Sequence, residues 1–384
     1  MIQTCDTLLL TIPSPCFVLE EARLEQNLAI FERVQREAPV RVLLALKGFA
    51  LFHSFPLIRK TLHGASASSL WEAQLVAEKF GGELHVYSPA YRDEDMPLIL
   101  QKASHLTFNS VSQWERFRCL VSTTSSKPSV GLRINPQYSP VQTMLYNPCQ
   151  PFTRLGISPE HLGNQLPEGV DGFLSHNLCE SDSYALEKTL VNIEQFFGHF
   201  LPHLKWLNLG GGHLMTRKGY DVGHAIHVLK EFHERYPHLE LILEPGSAIA
   251  WETGFLLSTV QDIIPTSDVM NVMLDVSFTA HMPDCLEMPY KPVIRGAHEP
   301  QEGETKYRMG GSSCLAGDFL GDYAFSSNLS IGDRIIFEDM MHYTMVKSSM
   351  FNGVVHPSIG VVRKDGTFEM WRQFSYEDYR SRLG

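Results

Sequence analysis

The run VLLALKGFA, residues 42–50, carries an apolar strand pattern straight into a lysine, Lys47, and then a glycine. An ammonium group at the end of a buried strand is costly, because loss of water favours the neutral amine. A neutral amine in a pocket is a nucleophile toward carbonyl groups. A lone strand-end lysine is ordinarily a charge snorkelling into water, so the weight rests on its companions. NLGGGH (208–213) sets three glycines after another apolar run, leaving backbone that an anion can approach closely. LEPGSA ends a run on Glu244, FLSHNLCE ends one on His176, and the loop GGSSCLAGDFLGDY (310–323) holds Cys314 and Asp318.

One cofactor would use all of these parts. Pyridoxal phosphate attaches to a lysine amine as a Schiff base, which removes the buried charge, and a glycine-rich turn suits its phosphate. A carboxylate at the pyridine nitrogen keeps it protonated, so the ring accepts electrons released at a substrate's α-carbon; a histidine can lie flat on the ring. Each part also has a plainer role: the glycines as a flexible turn, Glu244 as an N-terminal carboxylate of the next helix, His176 as one of 17 histidines, Cys314 as an inert thiol.

The elements that must position these residues are legible between about residues 18 and 246. Candidate strands lie at 42–47, 64–68, 84–88, 105–109, 130–135, 172–177, 206–211 and 239–246, with helical patterns such as LEEARLEQNLAIFERVQ and SYALEKTLVNIEQFFGHF between most of them. Eight strands with helical crossovers predict an α/β fold, a (β/α)₈ barrel. The second strand, GASAS, has poor strand propensity and rests on spacing. Lys47, Asn109, Arg133, Asn135, His176, Gly210 to Gly212 and Glu244 fall at the C-terminal ends of these runs, where barrels build active sites.

After about residue 250, GFLLSTVQDII, DVMNVMLDVSF, DRIIFEDM, YTMVKSS and GTFEMWRQ predict a second, mostly antiparallel β domain, to which TLLLTIPSPCFVLE could add a strand. The expected division is a barrel over 18–250 and a β domain of 1–17 plus 251–384.

With 43% hydrophobic and 20% charged residues, the 384-residue chain has the composition of a globular protein with a sizeable core. The net charge of −11 argues against a nucleic-acid partner and suits a cationic small molecule. Seven cysteines without a C-x-x-C pair indicate neither a disulfide framework nor a metal site. No run of 18 apolar residues occurs and the N-terminus lacks a basic leader pattern, so the expected setting is cytoplasmic, with no membrane.

These motifs, with EDMMHYTMVKSSMFNG near the C-terminus, resemble the fold-type III pyridoxal-phosphate decarboxylases, the ornithine and diaminopimelate decarboxylase group, over nearly the whole chain. Within that group ALKGFA, TRLGI, SHNLCE, NLGGGH, FTAHMPDCLEMPY and GDFLGDYAF are most similar to the carboxynorspermidine/carboxyspermidine decarboxylases of polyamine biosynthesis. The resemblance implies the barrel-plus-sheet fold shared with alanine racemase, and a head-to-tail homodimer with shared active sites. It implies that Lys47 carries the cofactor, that His176 stacks on it, that Glu244 pairs with its nitrogen, and that Gly210, Gly211, Gly212 and Tyr343 hold its phosphate. By the same resemblance Arg133 lies beneath the cofactor and helps hold the glutamate and the histidine. Cys314 comes from the second subunit to assist protonation, and Asp275, His281, Asp284 and Asp318 are candidates for binding the substrate's amines.

Two departures narrow the choice. The arginine that follows EPG in ornithine decarboxylases is Ser247 here, which removes a phosphate contact, and the missing arginine also counts against a second substrate carboxylate, as in diaminopimelate. The alternatives are a diaminopimelate- or ornithine-type decarboxylase, an amino-acid racemase of the same fold, a silent regulator and a small cofactor carrier. Racemases of this fold place an arginine at the pyridine nitrogen, which discourages electron storage, whereas this chain has Glu244; intact Lys47 and Cys314 speak against a regulator, and the long β domain against a carrier.

Overall fold

The computed structural model describes residues 6–384; positions 1–5, with Cys5 and the start of the expected 1–17 segment, lie outside the described residues. The described residues as far as Gln26 group with Ala250–Gly384 in one compact unit, and Asn27–Ile249 form another.

A first strand, β1 (Cys16–Glu20), belongs to the former unit. Eight strands of the latter follow: β2 (Val40–Ala45), β3 (Gly64–Ala67), β4 (Glu83–Tyr87), β5 (His105–Phe108), β6 (Ser129–Ile134), β7 (Gly172–Ser175), β8 (Trp206–Asn208) and β9 (Glu240–Leu243). They pair in parallel in that order and close into a barrel, β9 meeting β2 with Leu241 beside Val40. All eight expected strands are present, mostly ending a residue or more before the sequence pattern stops, because the last polar residues turn out of the ladder. The GASA strand forms despite its propensity because small residues permit close approach: a Cβ on Gly64 would stand 2.1 Å from the Glu83 carbonyl oxygen.

The crossover helices start where side-chain caps satisfy their first N–H groups. Ser69, Ser110, Asp182 and Asp221 accept from the backbone of Glu72, Gln113, Ala185 and His224. Inside the barrel Trp206 packs with Leu43 and Ile242. Its indole occupies space that Gly131 and Gly172 leave open, since a Cβ at either would come within 2.2 Å of the ring.

The sheet unit is mostly antiparallel. Its strands are β10 (Gly254–Pro265), β11 (Met270–Leu274), β12 (Ala297–His298), β13 (Tyr307–Gly310), β14 (Phe319–Phe325), β15 (Arg334–Glu338), β16 (Ser358–Val362) and β17 (Phe368–Arg372). The order is β12-β14-β13-β11-β10-β1-β16-β17, with β15 also on β10; among the described residues of this sheet only the β1–β16 and β11–β13 pairings are parallel. Cys16, Val18, Phe255, Leu257 and Ile336 form its core, and burial raises the Cys16 thiol to about 12. Two expectations change: TLLLT is helical within Asp6–Thr11, and YTMVKSS holds a helical turn, Thr344–Lys347, instead of a strand. No helix among the described residues is long and apolar enough to cross a membrane.

Candidate active site

In the barrel unit the polar residues gather just past the strand ends. Lys47 stands two residues beyond β2, His176 one beyond β7, Gly210 two beyond β8 and Glu244 one beyond β9. Lys47, Tyr87, Arg133, His176 and Glu244 line one cavity together with Ser66 and Ser68. The lysine turn is fixed by backbone: Ala45 N–H donates to the Pro245 carbonyl over 3.0 Å, and a Cβ on Gly48 would lie 2.9 Å from the Gly246 Cα. The two turns that carry Lys47 and Glu244 are therefore locked together, which explains why a glycine follows each.

Lys47 Nζ lies 3.0 Å from His176 Nε2. Desolvation, then Arg133, lowers the amine to about 8, with Glu244 pulling the other way. His176 is held well below the usual histidine range by desolvation first, then by Lys47 and Arg133.

Glu244 accepts Asn208 Nδ2 on Oε1 at 2.7 Å, and His85 Nδ1 lies 3.5 Å from the same oxygen. Burial pushes its pKa up, but hydrogen bonding and charge from His85, Asn208 and Lys47 outweigh that, so the carboxyl falls below the usual range and stays ionised. Arg133 reaches from β6 to donate to Tyr87 OH (2.9 Å) and to the His176 carbonyl (2.8 Å). Tyr87 in turn donates to Asn109, which anchors Arg154 and Gly156 of the TRLGI segment. The expected help from Arg133 to the histidine is thus visible at its backbone, whereas the hydrogen-bonded support of Glu244 comes from Asn208.

The glycine turn works differently from an open row of N–H donors. Gly210 N–H is spent on Asn208 Oδ1 and Gly211 N–H on His176 Nδ1, each at 2.8 Å, leaving the Gly212 N–H for an anion. Side chains are excluded for steric reasons: a Cβ on Gly210, at φ +65°, would sit 2.6 Å from His176 Nδ1, and one on Gly211 would sit 2.4 Å from the Glu244 carbonyl.

In the sheet unit Cys314 is exposed and its N–H donates to Asn352 Oδ1 at 2.7 Å, while Tyr343 precedes the 344–347 helix at φ +49°. The four residues expected to meet substrate amines already have partners. Asp275 accepts Ser14, Ser258 and the Thr259 N–H; Asp318 accepts the N–H groups of Thr279 and Ser313; Asp284 pairs with Lys347 at 2.8 Å. His281 is fully buried, accepts the Ser277 N–H on Nδ1, and is lowered by desolvation to about 3, which makes it a core histidine. Sequence reasoning missed His85, Tyr87, Asn208, Gly48 and Gly246; the glycines after LK and EP were the visible signal.

A lysine amine lowered to about 8, an ionised carboxylate and a fixed imidazole gather past the strand ends of a parallel barrel, which makes this cavity the candidate active site. The family model described as "Pyridoxal-dependent decarboxylase, C-terminal sheet domain" matches residues 16–341. A carboxyaminopropylagmatine decarboxylase of Synechocystis sp. is 66% identical over 97% of this chain and 96% of its own, and a carboxynorspermidine/carboxyspermidine decarboxylase of Campylobacter jejuni is 38% identical over 97% and 98%. The crystal structure of carboxynorspermidine decarboxylase complexed with norspermidine, also from C. jejuni, aligns with a TM-score of 0.90 at 37% identity, covering 97% of this chain and all of that one. The chain belongs to the pyridoxal-dependent decarboxylases, and its expected barrel-plus-sheet fold and decarboxylase class hold.

Proposed function

We propose that the chain removes carbon dioxide from the α-carbon of a carboxylated polyamine, using pyridoxal phosphate held in the barrel unit. The observation that carries this is the cavity joining Lys47, His176 and an ionised Glu244.

The residues fit the cofactor: a nucleophilic amine, a buried carboxylate with Oε2 left over, a flat imidazole, and a turn that admits no side chain. When bound, the cofactor supplies a sink for the electron pair left as carbon dioxide departs. Lys47 offers the attachment amine. Glu244 would accept a hydrogen bond from the pyridinium N–H, and its negative charge would keep the proton on that nitrogen. His176 presents a ring face whose angle is set by Gly211 and Arg133. The Gly212 N–H and Tyr343 would hold the phosphate, with Gly210 and Gly211 shaping the turn.

In the same reading Cys314 enters the site of a second subunit in a cytoplasmic head-to-tail homodimer and delivers the proton that replaces the carboxylate. The barrel unit is the cofactor domain, and the sheet unit supplies Cys314 and the substrate-facing carboxylates. Asp318 and Asp284 carry the negative charge that a cationic nitrogen would meet, whereas Asp275 is held by Ser14, Ser258 and Thr259 and His281 by the Ser277 N–H.

Carboxyaminopropylagmatine is the favoured substrate, because the 66% identical relative bears that name. Carboxynorspermidine and carboxyspermidine form the second reading, supported by the 38% relative and the norspermidine complex. Carbon dioxide release should be compared across these three, meso-diaminopimelate and ornithine. Highest kcat/KM on a carboxylated polyamine is expected; preference for diaminopimelate or ornithine would overturn the substrate class.

A further inference from the structure

We propose that His85, in the middle of β4, is a positioning residue for Glu244, setting the orientation and charge of the carboxylate from inside the barrel. The proposal rests on the reading that Glu244 meets the cofactor's pyridine nitrogen.

His85 is only 5% exposed, with Nδ1 at 3.5 Å from Glu244 Oε1 and Nε2 at 3.7 Å from Glu83 Oε2. Two carboxylates from two strands therefore face the two nitrogens of one ring. The first contact is longer than an ordinary N–H···O hydrogen bond, yet close enough for the ring nitrogen to act on the carboxylate as a charge-assisted partner. The ring is not free to turn away: it stacks on His105 at 4.0 Å between centroids, and His105 packs edge-on against Trp206 at 5.4 Å. Of the charged groups around it, Glu83 is neutralised by Arg41, which also binds Glu240 at 2.6 Å, and desolvation keeps His105 uncharged near neutral pH.

The consequence falls on one oxygen. Asn208 and His85 both approach Glu244 Oε1, which leaves Oε2 for a ligand and favours the ionised state. Asn208 alone would fix distance with a neutral donor; the second donor from β4 fixes rotation as well. His85 also joins the Arg41–Glu83–Glu240 cluster to the carboxylate at the opposite strand ends, so charge inside the barrel is continuous with charge at its mouth.

The test uses the full-length protein with His85→Leu, His85→Asn and Glu244→Gln. The measurements are pyridoxal-phosphate affinity by fluorescence quenching, pH titration of the bound cofactor's visible absorbance, melting of the cofactor-free protein, and kcat and KM. His85→Leu is expected to move the absorbance titration by about one pH unit and lower kcat about tenfold, with KM changing less than about twofold. His85→Asn, whose Nδ2 takes the place of Nδ1, should recover the parental titration and most of kcat. If His85→Leu titrates and turns over like the parent while Glu244→Gln does not, the proposal is overturned and the Glu244 reading stands. It is equally overturned if the Asn and Leu variants, melting like the parent, are impaired alike. If Glu244→Gln itself leaves spectrum and turnover unchanged, the underlying reading of Glu244 fails.

Discussion

Gly211 donates its backbone N–H to Nδ1 of His176 over 2.8 Å, and this bond decides what faces Lys47. With Nδ1 accepting, the proton of the neutral ring sits on Nε2, which lies 3.0 Å from the lysine nitrogen. An N–H pointing at Lys47 meets a lone pair there, so this tautomer of the imidazole favours the neutral, nucleophilic form of the amine.

The first prediction concerns pH. A lysine lowered to about 8 offers its lone pair far below the ordinary lysine range. Covalent loading of the cofactor-free protein, followed by visible absorbance, should therefore speed up as pH rises through about 8 and level off above it. A rate still climbing toward pH 10 would mean that the amine is not depressed. Lys47→Ala should show neither the lysine-bound absorbance nor a borohydride-fixed label, and its turnover should be lost.

Replacing Glu244 by Gln keeps the shape and removes the charge. Cofactor should still bind, while kcat falls by about 10²- to 10³-fold, the usual cost of one preorganised electrostatic group. Stopped-assay carbon dioxide release checks this, and near-parental turnover would contradict the role of the carboxylate as the pyridinium partner.

A shared site makes a counting prediction. Mixed in equal amounts and allowed to exchange subunits, Lys47→Ala and Cys314→Ala chains would give half heterodimers with one intact site each, restoring about 25% of parental activity. No recovery despite demonstrated exchange would place both residues in one chain's site, and an active Cys314→Ala parent would show that Cys314 is dispensable.

Gly210→Ala tests the turn. Its methyl would meet His176 at 2.6 Å in a backbone conformation, φ +65°, that alanine avoids. A loss of about 1–3 kcal/mol in chemical denaturation is expected, with weaker cofactor binding because the ring is pushed off its two anchors. An unchanged denaturation midpoint and affinity would show that the turn relaxes freely.

The sequence made the barrel legible because its signals are local: an apolar run, a polar residue where the run stops, and a capped helix after it. Lys47, His176 and Glu244 could be assembled without a structure because each ends such a run. What stayed hidden depends on partners distant in the chain. Nothing in NLGGGH says that two of its N–H groups are spent on Asn208 and His176, and nothing near Asp275 announces Ser14. His85 looked like any strand residue, since a β-strand histidine shows its neighbours only when the barrel closes. The motifs also describe the reacting end of the substrate, which a carboxylated agmatine and a carboxylated spermidine share.

Trp206 occupies the room that side chains at Gly131 and Gly172 would need. Neither glycine can be exchanged while the indole remains, and the indole cannot shrink without leaving a void between them. The three positions form a single steric unit. Anyone redesigning this barrel for a bulkier guest must change β6, β7 and β8 in one step.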